Sequence, residues 1–204
     1  MRKFYVAALT GRSGSGKSYA SGYLRAKGIP VIDGDAVARE VVRTGSGTLK
    51  ELVRAFGSGI LKDNGSLNRR ALADMCFADE KKKKKLNSIT HPAIIEKLTE
   101  DFERLSSEGH RYCLVEAAAL VESGLYAVCD RTIMITSNEK LEIARIVSRD
   151  GITAAQAKTR LDAQLRPDEV RALCDVELTN DGDLSQFDKK LDVLAEQLNE
   201  WFLD

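Results

Sequence analysis

Residues 11–18 read Gly-Arg-Ser-Gly-Ser-Gly-Lys-Ser and fit the pattern GxxxxGK[ST] at every fixed position. The chemistry follows from the residue types. Glycines let successive backbone N–H groups turn inward around phosphate oxygens with no Cβ in the way, and Gly14, Ser15 and Gly16 form the cradle here. A helix starting where the loop ends adds a partial positive charge. Lys17 brings a compact cation to the outer phosphates, and the Ser18 hydroxyl is a hard oxygen ligand for Mg²⁺ bridging those phosphates. An apolar run precedes the loop and a helical pattern follows it, the context the motif requires. The motif defines a nucleoside-triphosphate site without separating kinases from GTPases, ATPases or transporters.

A second group of residues offers acceptor chemistry. Residues 31–35 read Val-Ile-Asp-Gly-Asp, and in a parallel α/β sheet ligands bind beyond the C-terminal strand ends. One of Asp33 and Asp35 would orient or deprotonate a substrate hydroxyl, and the other would hold waters of Mg²⁺; an N-cap for the helix carrying Ala36 to Val42 is the competing role. Arg39 follows on that helix and suits an anionic part of a substrate, or is a solvated surface arginine. Arg145 and Arg149 lie four apart, on one helix face, and Arg160, Arg166 and Arg171 follow. Arginine forks that close over a triphosphate stabilise the charge of phosphoryl transfer, so residues 141–173 read as a lid. The competing reading is an exposed helix salt-bridged through Glu139, Glu142 and Asp150.

The elements that must position these groups are short. Phe4–Leu9, Pro30–Ile32, Tyr112–Val115, Thr132–Ile135 and Val176–Thr179 are apolar or β-branched runs bounded by Gly, Asp or Asn and read as buried strands. Helical patterns fill the gaps: Leu49, Leu52, Val53 and Phe56 mark one apolar face, and Leu184, Phe187, Leu191, Leu194, Leu198, Trp201 and Phe202 another. Alternation of this kind predicts an α/β fold of three layers, the P-loop NTPase arrangement, around a mainly five-stranded parallel sheet. The second and third strands are about eighty residues apart, far beyond a single crossover helix. The chain therefore reads as one domain over 1–204 with a helical insertion at 45–109 and the lid at 141–173.

Composition narrows the partners. Lys plus Arg and Asp plus Glu balance at 31 each, which gives no net-charge argument for nucleic acid or an anionic membrane. The lysines from Lys81 to Lys85 read as a solvated helix face. No stretch has the roughly 20 apolar residues of a membrane span. The four cysteines show no CxxC spacing and read as free thiols of a reducing cytosol, so a cytoplasmic location is expected.

Taken in order, LTGRSGSGKS (9–18), VIDGDAVAREVV (31–42), GSLNRRALADMCF (65–77), ITHPAI (89–94), RIVSRDGIT (145–153) with Arg160 and Gln164 behind it, and CDVELTNDG (174–182) resemble the dephospho-coenzyme A kinase family over nearly the whole chain. The resemblance implies transfer of the ATP γ-phosphate to the ribose 3′-hydroxyl of dephospho-coenzyme A, the final step of coenzyme A biosynthesis, with ATP and Mg²⁺ as cofactors. It implies Asp35 as the base and Thr10 and Arg145 near the transferred phosphate. Arg69 and His91 would belong to a coenzyme-binding insertion, the arginine-bearing excursion to a lid, and the segment around Asn180 to the adenine pocket.

Four places depart from the family pattern. Asp33-Gly34-Asp35 replaces Asp-Ala-Asp, and Tyr19 replaces a Thr near the α-phosphate. Residues 118–122 read Ala-Ala-Leu-Val-Glu for Pro-Leu-Leu-Phe-Glu, and Glu142 stands where Gln is frequent. A carboxylate at 142 would pair with the lid arginine. His91 precedes Pro92, which predicts a helix start there, and is either a substrate contact or structural. His110 reads as a loop residue. Another small-molecule or nucleoside monophosphate kinase is the alternative within the enzymes. A GTP-dependent switch is disfavoured because Asn180-Asp181-Gly182 supplies no Asn-Lys-x-Asp segment.

Overall fold

A computed structural model describes residues 4–77, 79–118, 120 and 125–203. Two compact units emerge, one formed by the chain up to Asp33 and from Arg104 onward, the other by Gly34–Glu103.

The first unit holds strands β1 (Tyr5–Thr10), β2 (Val31–Asp33), β3 (Tyr112–Glu116), β4 (Arg131–Thr136) and β5 (Val176–Thr179). They form one sheet in the order β2-β3-β1-β4-β5 with every pair parallel. Val6 to Leu9 are all buried, and a strand apolar at consecutive positions needs cover on both faces. Helices α1 (Lys17–Ala26) and α9 (Leu184–Leu203) supply it on one side. There Ala7, Leu9, Leu24, Ile133 and Ile135 pack with Phe187, Leu191, Leu194 and Leu198. Phe187 is 1% exposed, so truncation to Ala would cost about 3–5 kcal/mol. Leu184 departs from the expected apolar face: it is 56% exposed, because as the first residue of α9 it precedes the turn that meets the sheet. Lys190 Nζ donates to the Thr179 carbonyl of outer strand β5 at 2.6 Å.

Helices α6 (Glu139–Asp150), α7 (Ala154–Asp162) and α8 (Pro167–Arg171) connect β4 to β5. They have a small core of their own, Ile146, Ala157 and Leu161. Their ends are marked locally: the Asn138 side chain accepts from Lys140 N–H, Gly151 closes α6 in the left-handed region, and Thr153 and Gln156 form a capping box.

The second unit is helical: α2 (Gly34–Glu40), α3 (Gly47–Phe56), α4 (Arg69–Phe77) and most of α5 (Glu80–Ser107). Val42, Leu52, Ile60, Leu72 and Cys76 form its core, with Val53, Phe56 and Ile89 packed against them. Lys81 to Lys85 are all exposed. One expectation is corrected here. His91 does not open a helix, because α5 runs through Pro92 without interruption. Proline deletes one helical hydrogen bond, but the buried Ile94 and Leu98 on the following turns hold the helix together.

All four cysteines are free thiols. Burial pushes the Cys129 thiol up to about 12 and that of Cys174 up to about 11. Among the described residues no helix is long and apolar enough to cross a membrane.

Candidate active site

The glycine-rich loop joins the C-terminal end of β1 to α1, where the sequence places it. Its shape is held from outside. The Asn180 side chain is 4% exposed, and its Nδ2 donates to the Ser15 carbonyl at 2.8 Å. Because a peptide unit is planar and trans, turning the Ser15 carbonyl outward turns the Gly16 N–H inward. Gly16 adopts φ 104°, and a Cβ there would overlap Asn180 Nδ2. At Gly14, φ 79°, a Cβ would stand 2.5 Å from the Glu142 carbonyl oxygen. Both positions therefore require glycine for conformation and for space.

Arg145 braces the same loop. Its guanidinium donates to Gly14 O at 3.1 Å, Ser137 Oγ at 3.0 Å and Asn180 O at 3.0 Å. Thr10, at the end of β1, is 2% exposed. Tyr19 turns toward α9: its hydroxyl donates to Asp188 at 2.7 Å, a contact that raises its pKa, and its ring lies 6.0 Å from that of Phe187.

Sequence reasoning missed Glu116, the last residue of β3. The Ser18 hydroxyl donates to Glu116 Oε1 at 2.9 Å and the Ser21 hydroxyl to Oε2 at 2.5 Å. Asp33 is the register partner of Glu116 on β2, so two carboxylates end adjacent strands, one of them against the Ser18 hydroxyl. The available signal was position, since an acidic residue ends the third apolar strand just as Asp33 ends the second. This set of hard oxygens fits Mg²⁺, which takes few protein ligands and keeps waters and phosphate oxygens. Ser18 would ligate the ion directly, and Glu116 and Asp33 would hold its waters.

The α6–α8 segment touches the loop at each leading residue. Arg12 Nη1 lies 3.7 Å from Glu139 and 3.6 Å from Glu142. Glu142 is 2% exposed and its Oε2 makes no hydrogen bond. Burial pushes its carboxyl pKa up, and the Arg12 charge only partly opposes this. Its nearest cation is thus the phosphate-loop arginine rather than Arg145. Arg149 chelates Asp150 at 2.7 and 2.9 Å and reaches Ser13 Oγ at 3.4 Å. Arg160 shares the same Asp150, whose carboxyl is held down at about 2, chiefly by hydrogen bonding to Arg149. The Ser13 N–H donates to Gln164 Oε1 at 3.0 Å.

The remaining candidates lie in the second unit. Asp35 is in the first turn of α2 and Arg39 in its last. Arg69 Nη2 makes a long contact, 3.5 Å, to the Arg39 backbone carbonyl, which places the Arg69 side chain at the end of α2. His91 is part-buried in α5, and desolvation lowers its pKa. Of the altered 118–122 stretch, positions 119, 121 and 122 lie outside the described residues.

A five-stranded parallel sheet, a phosphate loop after β1, carboxylates ending β2 and β3 and an arginine-bearing excursion before β5 define a P-loop kinase. A solved structure, "TT1252 from Thermus thermophilus", superposes with a TM-score of 0.79 over 96% of this chain and 98% of its own, at 29% identity. A dephospho-CoA kinase from Campylobacter jejuni shares the fold with a TM-score of 0.67 at 24% identity, covering 96% and 97% of the two chains. The family model described as dephospho-CoA kinase matches residues 5–186, and the chain belongs to that family. Curated dephospho-CoA kinases are similar along most of their length. That of Anaeromyxobacter dehalogenans is 38% identical, covering 87% of this chain and 84% of its own. That of Acinetobacter baylyi is 37% identical, covering 94% and 97%.

Proposed function

We propose that this protein phosphorylates the ribose 3′-hydroxyl of dephospho-coenzyme A with ATP, giving coenzyme A and ADP in the cytoplasm. Membership of the dephospho-CoA kinase family supports the substrate pair. The observation that carries the chemistry is the phosphate loop at the end of β1 with Ser18 hydrogen-bonded to Glu116. When bound, Mg²⁺ neutralises charge on the outer phosphates. Lys17 and the loop N–H groups bind the triphosphate, the Tyr19 backbone N–H meeting the inner phosphate while its side chain faces α9, with the Asn180 segment beside the adenine. Asp35 takes the proton of the acceptor hydroxyl as its oxygen bonds to the γ-phosphorus and the bond to the β-phosphate oxygen breaks. Asp33 holds waters near the phosphates, and Thr10 and Arg145 stand by the transferred group. Arg149 clamps the triphosphate as part of a lid at 141–173. The helical insertion at 45–109, with Arg39, Arg69 and His91, binds the coenzyme.

The test is a panel of acceptors with purified protein, MgATP and mass spectrometry of the product. ADP release that depends on dephospho-coenzyme A, and not on nucleosides or sugars, is the expected result. Release at the same rate without dephospho-coenzyme A would overturn the assignment.

A further inference from the structure

We propose that Gln164 is a positioning residue through which the α6–α8 segment senses the third phosphate of the bound nucleotide, by yielding the Ser13 N–H to it, an inference that rests on the nucleoside-triphosphate reading above. The carrying observation is the hydrogen bond from the Ser13 N–H to Gln164 Oε1, 3.0 Å long and spanning 151 residues of chain. Ser13 stands on the strand side of the loop, away from the α1 terminus that receives the inner phosphates. A donor at that lip serves the phosphate farthest from the nucleoside. Here that donor is held by a carboxamide oxygen, which a phosphate oxygen would have to displace.

The surroundings couple this contact to the helices. Gln164 follows α7 directly, and its N–H bonds to the carbonyl of Leu161 at 3.1 Å. Leu161 is fully buried with Ile146 and Ala157, so the side chain hangs from a packed point. Gln164 also lines a small pocket with Thr10, Gly11 and Arg12 at the root of the loop. Arg149 reaches the Ser13 hydroxyl from α6, so one loop residue is touched by two parts of the segment. A triphosphate that needs the Ser13 N–H must take it from Gln164. A diphosphate, one phosphate shorter, leaves the contact intact.

The experiment compares equilibrium binding of Mg-ADP and of a non-hydrolysable β,γ-imido triphosphate, by calorimetry, in the intact protein, Gln164→Ala and Gln164→Glu. Removing an acceptor that the nucleotide would otherwise displace should tighten the triphosphate analogue about three- to tenfold in Gln164→Ala. ADP affinity should stay within about twofold, while kcat and KM for ATP fall together. Gln164→Glu keeps the acceptor but adds a negative charge, and should weaken the triphosphate analogue at least about tenfold, and ADP less. Equal shifts for both nucleotides, no shift for either, or a lowered thermal midpoint with unchanged discrimination would mark Gln164 as a brace alone and overturn the proposal. Failure of the unaltered protein to bind either nucleotide would instead strike the nucleotide-site reading itself.

Discussion

Glu116 accepts the Ser18 hydroxyl at 2.9 Å while the 2%-exposed Ser21 donates to its other oxygen, so the carboxylate is fixed on both sides at the mouth of the phosphate loop. Glu116→Gln keeps the shape but removes the charge. It should raise the Mg²⁺ concentration for half-maximal rate and lower kcat by about 10–100-fold, the usual scale for a group that orients a metal ligand. A magnesium titration of the steady-state rate checks this; an unchanged magnesium requirement would remove Glu116 from the ion's surroundings.

Lys17→Ala should abolish turnover with the circular dichroism spectrum and thermal midpoint retained, since Lys17 heads α1 at the loop rather than in the core. Asp35→Asn should lower kcat much more than it raises KM for ATP. The parallel Asp33→Asn variant separates the two carboxylates: if Asp35→Asn kept near-normal kcat and Asp33→Asn did not, the roles would be exchanged.

Glu142 gives a pH prediction. Burial raises its carboxyl pKa in the folded chain above the unfolded value. Stability from this group is therefore complete below the unfolded pKa and is lost as pH rises through the folded one. Glu142→Gln cannot ionise, so its thermal midpoint should exceed that of the unaltered protein at pH 8, and the gap should close toward pH 5. Thermal melts across that range decide; a gap that widens on acidification reverses the sign and would show that the Arg12 pairing outweighs desolvation.

Asn180→Ala would strand the Ser15 carbonyl that Nδ2 now satisfies in the interior. The expected cost is about 1–3 kcal/mol of stability, that of one unsatisfied buried group, together with weaker ADP binding as Gly16 loses the contact that orients it. Calorimetric melts and ADP titrations measure both. An unchanged ADP affinity would mean the loop keeps its shape without Asn180.

The sheet and the loop were legible in the sequence because their signals are contiguous. Each of the five strand segments is a short contiguous run of mostly apolar or β-branched residues, and Gly11 to Ser18 form an unbroken motif; the structure shifts β1 and β2 by only one residue toward the C-terminus. Glu116 was not legible, since its partner Ser18 lies 98 residues away and a single Glu after a strand carries no periodicity. The same holds for the Ser13–Gln164 contact. Pro92 misled for a different reason: proline disfavours a helix locally, and the hydrophobic packing of Ile94 and Leu98, which overrides that preference, is tertiary. Glu142 reads in the sequence as a partner of the lid arginine, because neither the burial of its turn against Gly14 nor its approach to Arg12 has any local signal.

The lysine that caps β5 bears on behaviour in a crowded solution. Open strands invite a neighbouring molecule to continue the ladder, and lysines at such borders are a common deterrent. With Lys190 bound to the Thr179 oxygen, an incoming chain would have to dislodge an ammonium ion and find room beside it. One carbonyl of the last strand is thereby withheld from an incoming ladder, by a residue remote in sequence from the phosphate loop.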